Sequence, residues 1–301
     1  MRIRKKTIGY FVLFVITLLI GFMTSKVLPE KYFFDANLIT QDPYNQKGLM
    51  GSYSFCMWLY DITGLNRLDY SIVALIQLPI IFLVLWSIGV PDRFNRIYLS
   101  NAVIWVTLLL CSVYIAMPSK EFVNFLYIAL LVKVLLGRSA FWPKIVVVFL
   151  LLFWFGVWYR PYYLLVPFFA AVLYFGSFIK LKNTGINNVI FGLFFACLLS
   201  LSFGVVKGEY LTEGTRERLN KDRKGREDSQ TIILSPVKTD NVIGESVSIF
   251  YGFVSVNFPV NGFRFYNKPQ VIAFILWQLV LLSYLFFQYN RCMKKQEAVQ
   301  A

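Results

Sequence analysis

Eight apolar stretches govern what this chain can fold into: residues 8–23, 71–90, 99–117, 122–136, 145–158, 162–178, 188–206 and 271–289. Lys133 is the one charged residue inside them. A helix crosses a bilayer with about 20 mostly apolar residues, and Trp158, Tyr162 and Tyr289 give the shorter stretches ends suited to headgroup depth. A soluble domain is excluded because 15% charged residues cannot coat a water-facing surface that normally needs about 25%. The expected fold is an all-α integral membrane protein of about eight transmembrane helices. It forms one polytopic domain over 1–301, with two long outer loops at about 24–69 and 207–270. The first stretch follows Arg2, Arg4, Lys5 and Lys6 like a signal peptide, but Thr24-Ser25-Lys26-Val27 offers no small-x-small cleavage site, so it reads as a retained anchor.

Charge gives the orientation. With eight spans, the N-terminus, 91–98, 137–144, 179–187 and the C-terminus share one side. They hold Arg2, Arg4, Lys5, Lys6, Arg93, Arg96, Arg138, Lys144, Lys180, Lys182, Arg291, Lys294 and Lys295 against only Asp92 and Glu297. Short loops rich in Lys and Arg mark the cytoplasmic face, so both termini are expected inside. The net charge of +14 is mostly this topological signal, and it gives no reason to expect nucleic acid as a partner. Lys133, near the inner end of its stretch, reads as snorkelling to the interface.

The chain has no histidine, which removes every mechanism built on an imidazole base or ligand. Cys56, Cys111, Cys197 and Cys292 are scattered, form no CxxC, and read as inert thiols rather than a metal or disulfide framework. No metal or other cofactor is expected. The outer segments carry the chemistry that is left. In Pro118-Ser119-Lys120-Glu121, a tight turn between two spans, Lys120 and Glu121 are either solvated neighbours or a fixed cation beside a fixed carboxylate. In Trp158-Tyr159-Arg160-Pro161-Tyr162-Tyr163, an arginine sits among aromatics at a membrane boundary. Such placement calls for an anionic partner, and the planar guanidinium suits a phosphate; Tyr162 and Tyr163 complete the candidate binding surface. In the first loop, Asp35 and Asp42 lie among aromatic residues that can stack on sugar rings. Each is either a base for a sugar hydroxyl or a turn or cap residue. In the second loop, Arg216 and Arg218 belong to a mixed-sign run, 214–229, which either attracts an anionic glycan or is solvated surface. The segments 49–65 and 247–258 are apolar enough to span, re-enter or lie on the membrane, though further spans would break the charge pattern; the second is broken at Gly252 and Pro259.

The many-span layout, Tyr32-Phe33-Phe34-Asp35-Ala36-Asn37-Leu38-Ile39 in the first loop, Pro118-Ser119-Lys120-Glu121-Phe122 and the Trp158–Tyr163 junction resemble the bacterial surface-polysaccharide polymerases of the Wzy type. The Arg-x10-Gly signature found in outer loops of some members does not occur here. The resemblance implies an enzyme of the bacterial inner membrane with periplasmic loops. It would join undecaprenyl-diphosphate-linked oligosaccharides into O-antigen or capsular polysaccharide, amid membrane lipid and with a chain-length regulator as partner. Asp35, Asp42 or Glu121 is then the catalytic base, and Lys120 and Arg160 hold the diphosphate. Two other readings are carried: a polyprenyl-phosphate-dependent transferase of single sugars, and a lipid-linked glycan flippase. Against the flippase stand the missing internal repeat and the scarcity of intramembrane charge.

Overall fold

A computed structural model describes residues 5–90, 99–176, 184–208, 241–257 and 266–294, with 210, 221 and 263. Among the described residues every regular element is helical: α1 Lys5–Val27, α2 Phe34–Gln41, α3 Ser52–Ile62, α4 Tyr70–Ser87, α5 Leu99–Tyr114, α6 Lys120–Leu136, α7 Phe141–Trp158, α8 Leu165–Gly176, α9 Thr184–Lys207, α10 Val242–Asn257 and α11 Pro269–Lys294. Single 3-10 turns at Glu30–Phe33, Leu65–Arg67 and Pro161–Leu164 join some of them. The chain divides into two compact units, residues 1–167 and 168–301.

Four segments are long and apolar enough to cross a membrane: Thr7–Val27, Tyr70–Ser87, Phe141–Trp158 and Val271–Arg291. Between 6% and 44% of their apolar windows is buried within the protein. So much unburied apolar helix surface is intolerable in water and ordinary in lipid. Four of the eight expected spans are therefore seen at spanning length. The stretch 162–178 differs in its start: it opens with the Pro161–Leu164 turn, and α8 follows from Leu165. Proline at 161 explains the late start, since it has no amide proton to give a continuing helix.

The first long loop is itself folded. Residues 49–65 form α3, 11 residues long, about 16 Å and too short to span. In unit 1, α1 packs on α4 and α5, α4 on α6, α6 on α7, and α2 and α3 on each other with α3 also on α6. One apolar cluster joins α2, α3, α4, α6 and α7: Ile39 of α2, Phe55, Cys56 and Tyr60 of α3, Val73 of α4, Tyr127 of α6, and Leu152, Phe155 and Tyr159 around the end of α7. The Tyr127 and Phe155 rings stack at 3.6 Å and 2°. Gly156 allows the Leu164 backbone against α7, since a Cβ there would lie 2.9 Å from the Leu164 nitrogen.

In unit 2, α9 packs on α10 and α11. The apolar segment expected to break at Gly252 instead continues as helix through it, a glycine costing a helix only about 1 kcal/mol. On α10, Glu245 is wholly buried and its carboxylate accepts a hydrogen bond from the Ser200 hydroxyl of α9.

Candidate functional site

At one end of unit 1, three segments far apart in sequence bring two cations and two carboxylates together. The α5–α6 turn supplies Lys120 and Glu121, the first turn of α2 supplies Asp35, and the α7–α8 junction supplies Arg160. Lys120 Nζ lies 2.9 Å from Asp35 Oδ2, and Arg160 Nη2 lies 3.2 Å from Glu121 Oε1. The burial is one-sided: the cation side chains are 18% and 14% exposed, while the carboxylates are 50% and 46% exposed. The positive charges thus lie beneath, and the carboxylates meet the solvent.

Each part of this end is fixed by local chemistry. Ser119 caps α6, its hydroxyl accepting the Phe122 amide at 3.3 Å. The Ser119 amide donates to the Tyr60 hydroxyl at 3.1 Å. With the Gln77 amide oriented to satisfy its neighbours, the Tyr60 hydroxyl donates to Gln77 Oε1 at 2.5 Å. Gln77 Nε2 then donates to the Ile115 and Met117 carbonyls at 2.7 and 3.3 Å. Gln77, Tyr60 and Ser119 are all buried, so this chain of bonds ties α3 and α4 to the turn carrying Lys120 and Glu121. Removing one partner leaves buried polar atoms unsatisfied at about 1–3 kcal/mol. Gln77→Leu is therefore expected to destabilise the protein by about 2–4 kcal/mol, having taken a partner from a buried hydroxyl and two carbonyls. Thermal unfolding in detergent checks this, and an unchanged melting temperature would remove Gln77 from the framework.

The arginine junction is held from the other side. The Tyr159 and Arg160 amides both donate to the Phe155 carbonyl, at 2.8 and 3.1 Å. The Tyr159 hydroxyl donates to the Lys120 carbonyl at 2.8 Å and lies 3.3 Å from Cys56 Sγ. Burial pushes the Cys56 thiol up to about 11, so it stays protonated and inert, as expected from sequence. The Tyr163 hydroxyl donates to Asn124 Oδ1 at 2.5 Å, bracing the junction against α6. Tyr162 lies in the Pro161–Leu164 turn.

The first loop brings Asp35 and one residue that the sequence did not single out, Tyr53. Lys120 Nζ donates to the Tyr53 hydroxyl and sits 3.9 Å from the centre of its ring. Burial alone pulls the lysine pKa down, but the hydrogen bonds to Tyr53 and Asp35 outweigh it and hold Lys120 above its ordinary value; the ammonium is charged at any working pH. Tyr53 is half-buried, and burial raises its phenol more than Lys120 lowers it, so it remains a neutral donor. Asp42 has another task. It sits at the end of α2 with φ 40°, and its carboxylate accepts the Gln46 and Lys47 amides at 2.6 and 3.1 Å. That is the turn reading of the sequence, and neither cation is bonded to it. Gly51, with φ 92°, occupies backbone space that favours glycine, and its amide donates to the Trp158 carbonyl at 3.0 Å, fastening this loop to the arginine junction.

Five of the sequence candidates therefore meet: Asp35 with Lys120, Glu121 with Arg160, and Tyr163 on Asn124 beside them. Arg216 and Arg218 lie outside the described residues. Among the described residues no cluster of His, Cys, Asp or Glu is suited to hold a metal ion. The arrangement offers a preformed positive floor for an anion and carboxylates able to accept a proton beside it. No family model matches the chain, and neither a curated protein nor a solved structure matches it.

Proposed function

We propose that the protein is a Wzy-type polymerase that joins undecaprenyl-diphosphate-linked oligosaccharide repeat units into O-antigen or capsular polysaccharide at the periplasmic face of the bacterial inner membrane. The observation that carries the reading is the pair of mostly covered cations, Lys120 and Arg160, beneath half-exposed Asp35 and Glu121. A departing diphosphate needs fixed positive charge that costs no reorganisation when the bond breaks. An acceptor hydroxyl needs a nearby base. In the proposed reaction a carboxylate takes the proton of the acceptor sugar's hydroxyl. That oxygen bonds to the anomeric carbon of the growing chain while the bond from this carbon to the diphosphate oxygen breaks. Undecaprenyl diphosphate leaves with the bonding electrons, its charge met by Lys120 and Arg160. Apolar helix faces accompany the two polyprenyl tails, and a chain-length regulator is the proposed protein partner.

This reading includes the eight-span arrangement with cytoplasmic termini. The first loop, the α5–α6 turn and the α7–α8 junction all fall on the outer side by the charge pattern, and these three segments meet in unit 1, which supports the assignment. A reporter fused after Lys224 is expected to read periplasmic; a cytoplasmic signal overturns the arrangement. The folded first loop, with Asp35 beside a cation, also suits a polyprenyl-phosphate-dependent transferase of single sugars. Gel analysis of surface polysaccharide from a deletion strain separates the readings. Single-repeat material is expected for the polymerase. Loss of all material indicates an earlier transferase or a flippase, and an unchanged ladder rejects all three.

A further inference from the structure

The two ion pairs are unequal in a way that assigns them a job. The cations are built into the framework. Lys120 is held by the hydroxyl and ring of Tyr53, and its backbone carbonyl is held by the Tyr159 hydroxyl. The Arg160 backbone is tied to Phe155, and the next turn is braced by Tyr163 on Asn124. The carboxylates are not held in this way. Asp35 bonds through Oδ2 to Lys120 and also interacts with the Tyr53 hydroxyl, and Glu121 bonds through Oε1 to Arg160. Both are about half exposed. An anion arriving from the water therefore reaches the carboxylates first, and they are the partners free to yield.

We propose that Asp35 and Glu121 form an anion-displaced latch: a diphosphate replaces them on Lys120 and Arg160, and the carboxylates become available as bases only after it has seated. The inference takes from the proposed function only that these two cations receive a diphosphate. No bond is made or broken in the exchange, since one pair of oxygens leaves the cations as another arrives. A diphosphate outcompetes a single carboxylate because it carries more charge and presents oxygens that match the guanidinium fork. A carboxylate that has lost its cation binds a proton more readily. The order of events follows. With no donor seated, each carboxylate is engaged with its cation, so neither the acceptor hydroxyl nor water is activated. A seated diphosphate switches on the base beside it.

The latch makes an unusual demand: removing a carboxylate should strengthen anion binding. The test titrates inorganic pyrophosphate into the full-length protein in detergent micelles by calorimetry. Asp35→Asn and Glu121→Gln keep the side-chain shape and remove the competing charge, and each is expected to bind about three- to tenfold tighter than wild type. Lys120→Met and Arg160→Met are expected to lose binding. Asp42→Asn, which alters a carboxylate bonded to neither cation, is the control and should leave the affinity unchanged. Equal or weaker binding in Asp35→Asn and Glu121→Gln overturns the latch. So does equal tightening in Asp42→Asn, and so does an absence of binding heat throughout. Each variant is first checked for monodispersity by gel filtration, with Asp35→Ser and Glu121→Ser as second versions. An unchanged ladder in the deletion strain would remove the polymerase and leave this titration standing. Single-repeat material with no tightening would remove the latch alone.

Discussion

Cells carrying Arg160→Ala are expected to make no long surface polysaccharide while holding the protein at its normal level in the membrane. The guanidinium is 14% exposed and paired with Glu121, at a junction whose backbone is fixed by Phe155 and Tyr163. Its loss removes one of two fixed positive charges from beneath a departing diphosphate. Single contacts of this kind to developing negative charge are worth about 10²–10³ in rate. Glu121 is left without its cation, but at 46% exposure it can hydrate, so folding should survive. Arg160→Lys restores the charge without the planar fork and should recover part of the activity. The ladder of chain lengths on a gel, read beside an immunoblot of the membrane fraction, decides the matter. Normal long chains in Arg160→Ala would end the clamp assignment.

One of Asp35→Asn and Glu121→Gln is expected to have an effect of the same order for a different reason. Each substitution keeps a hydrogen-bonding group against the cation but cannot take a proton. A positioned base contributes about 10²–10⁴, so the variant that removes it should collapse the ladder to single repeats. The other variant, having lost only half of an ion pair, should slow growth of the chain less. If both polymerise normally, the base lies elsewhere. Combined with the pyrophosphate titration, this gives a pairing that simple damage would not produce: an inactive enzyme that grips its anion more tightly.

The membrane character, the breaks at Pro118 and Pro161 and the chemistry of three outer segments were legible because they depend on local composition. Proline ends helices wherever it stands, and apolar runs of about 20 residues have one common use. What could not be read was who meets whom. Asp35 and Lys120 are 85 positions apart, and Glu121 and Arg160 are 39 apart; no periodicity links them. Tyr53 passed unnoticed because a tyrosine in an aromatic run looks like packing, and only its place over the Lys120 ammonium distinguishes it. Asp42 had two readings and took the turn. The helices of the first loop were not resolved in the sequence because α2 and α3 are too short to announce themselves by pattern; their burial of Ile39, Phe55 and Tyr60 against α6 and α7 holds them. Glu245, in the second long loop by sequence, is enclosed between α9 and α10, where its carboxyl group meets the Ser200 hydroxyl.

The distribution of the site over three segments also sets a schedule for its assembly. A growing chain exposes Asp35 long before its cation exists, and Lys120 emerges 85 residues later. Glu121 then waits for a further 39 residues until Arg160 is made, about 2–8 s at ordinary rates of synthesis. Throughout that interval the hairpin of α5 and α6 carries an uncompensated carboxylate at its tip. The pairing with Arg160 therefore marks the moment at which α7 has taken its place beside α6, and a chain truncated before that point holds half a site with its charge unbalanced.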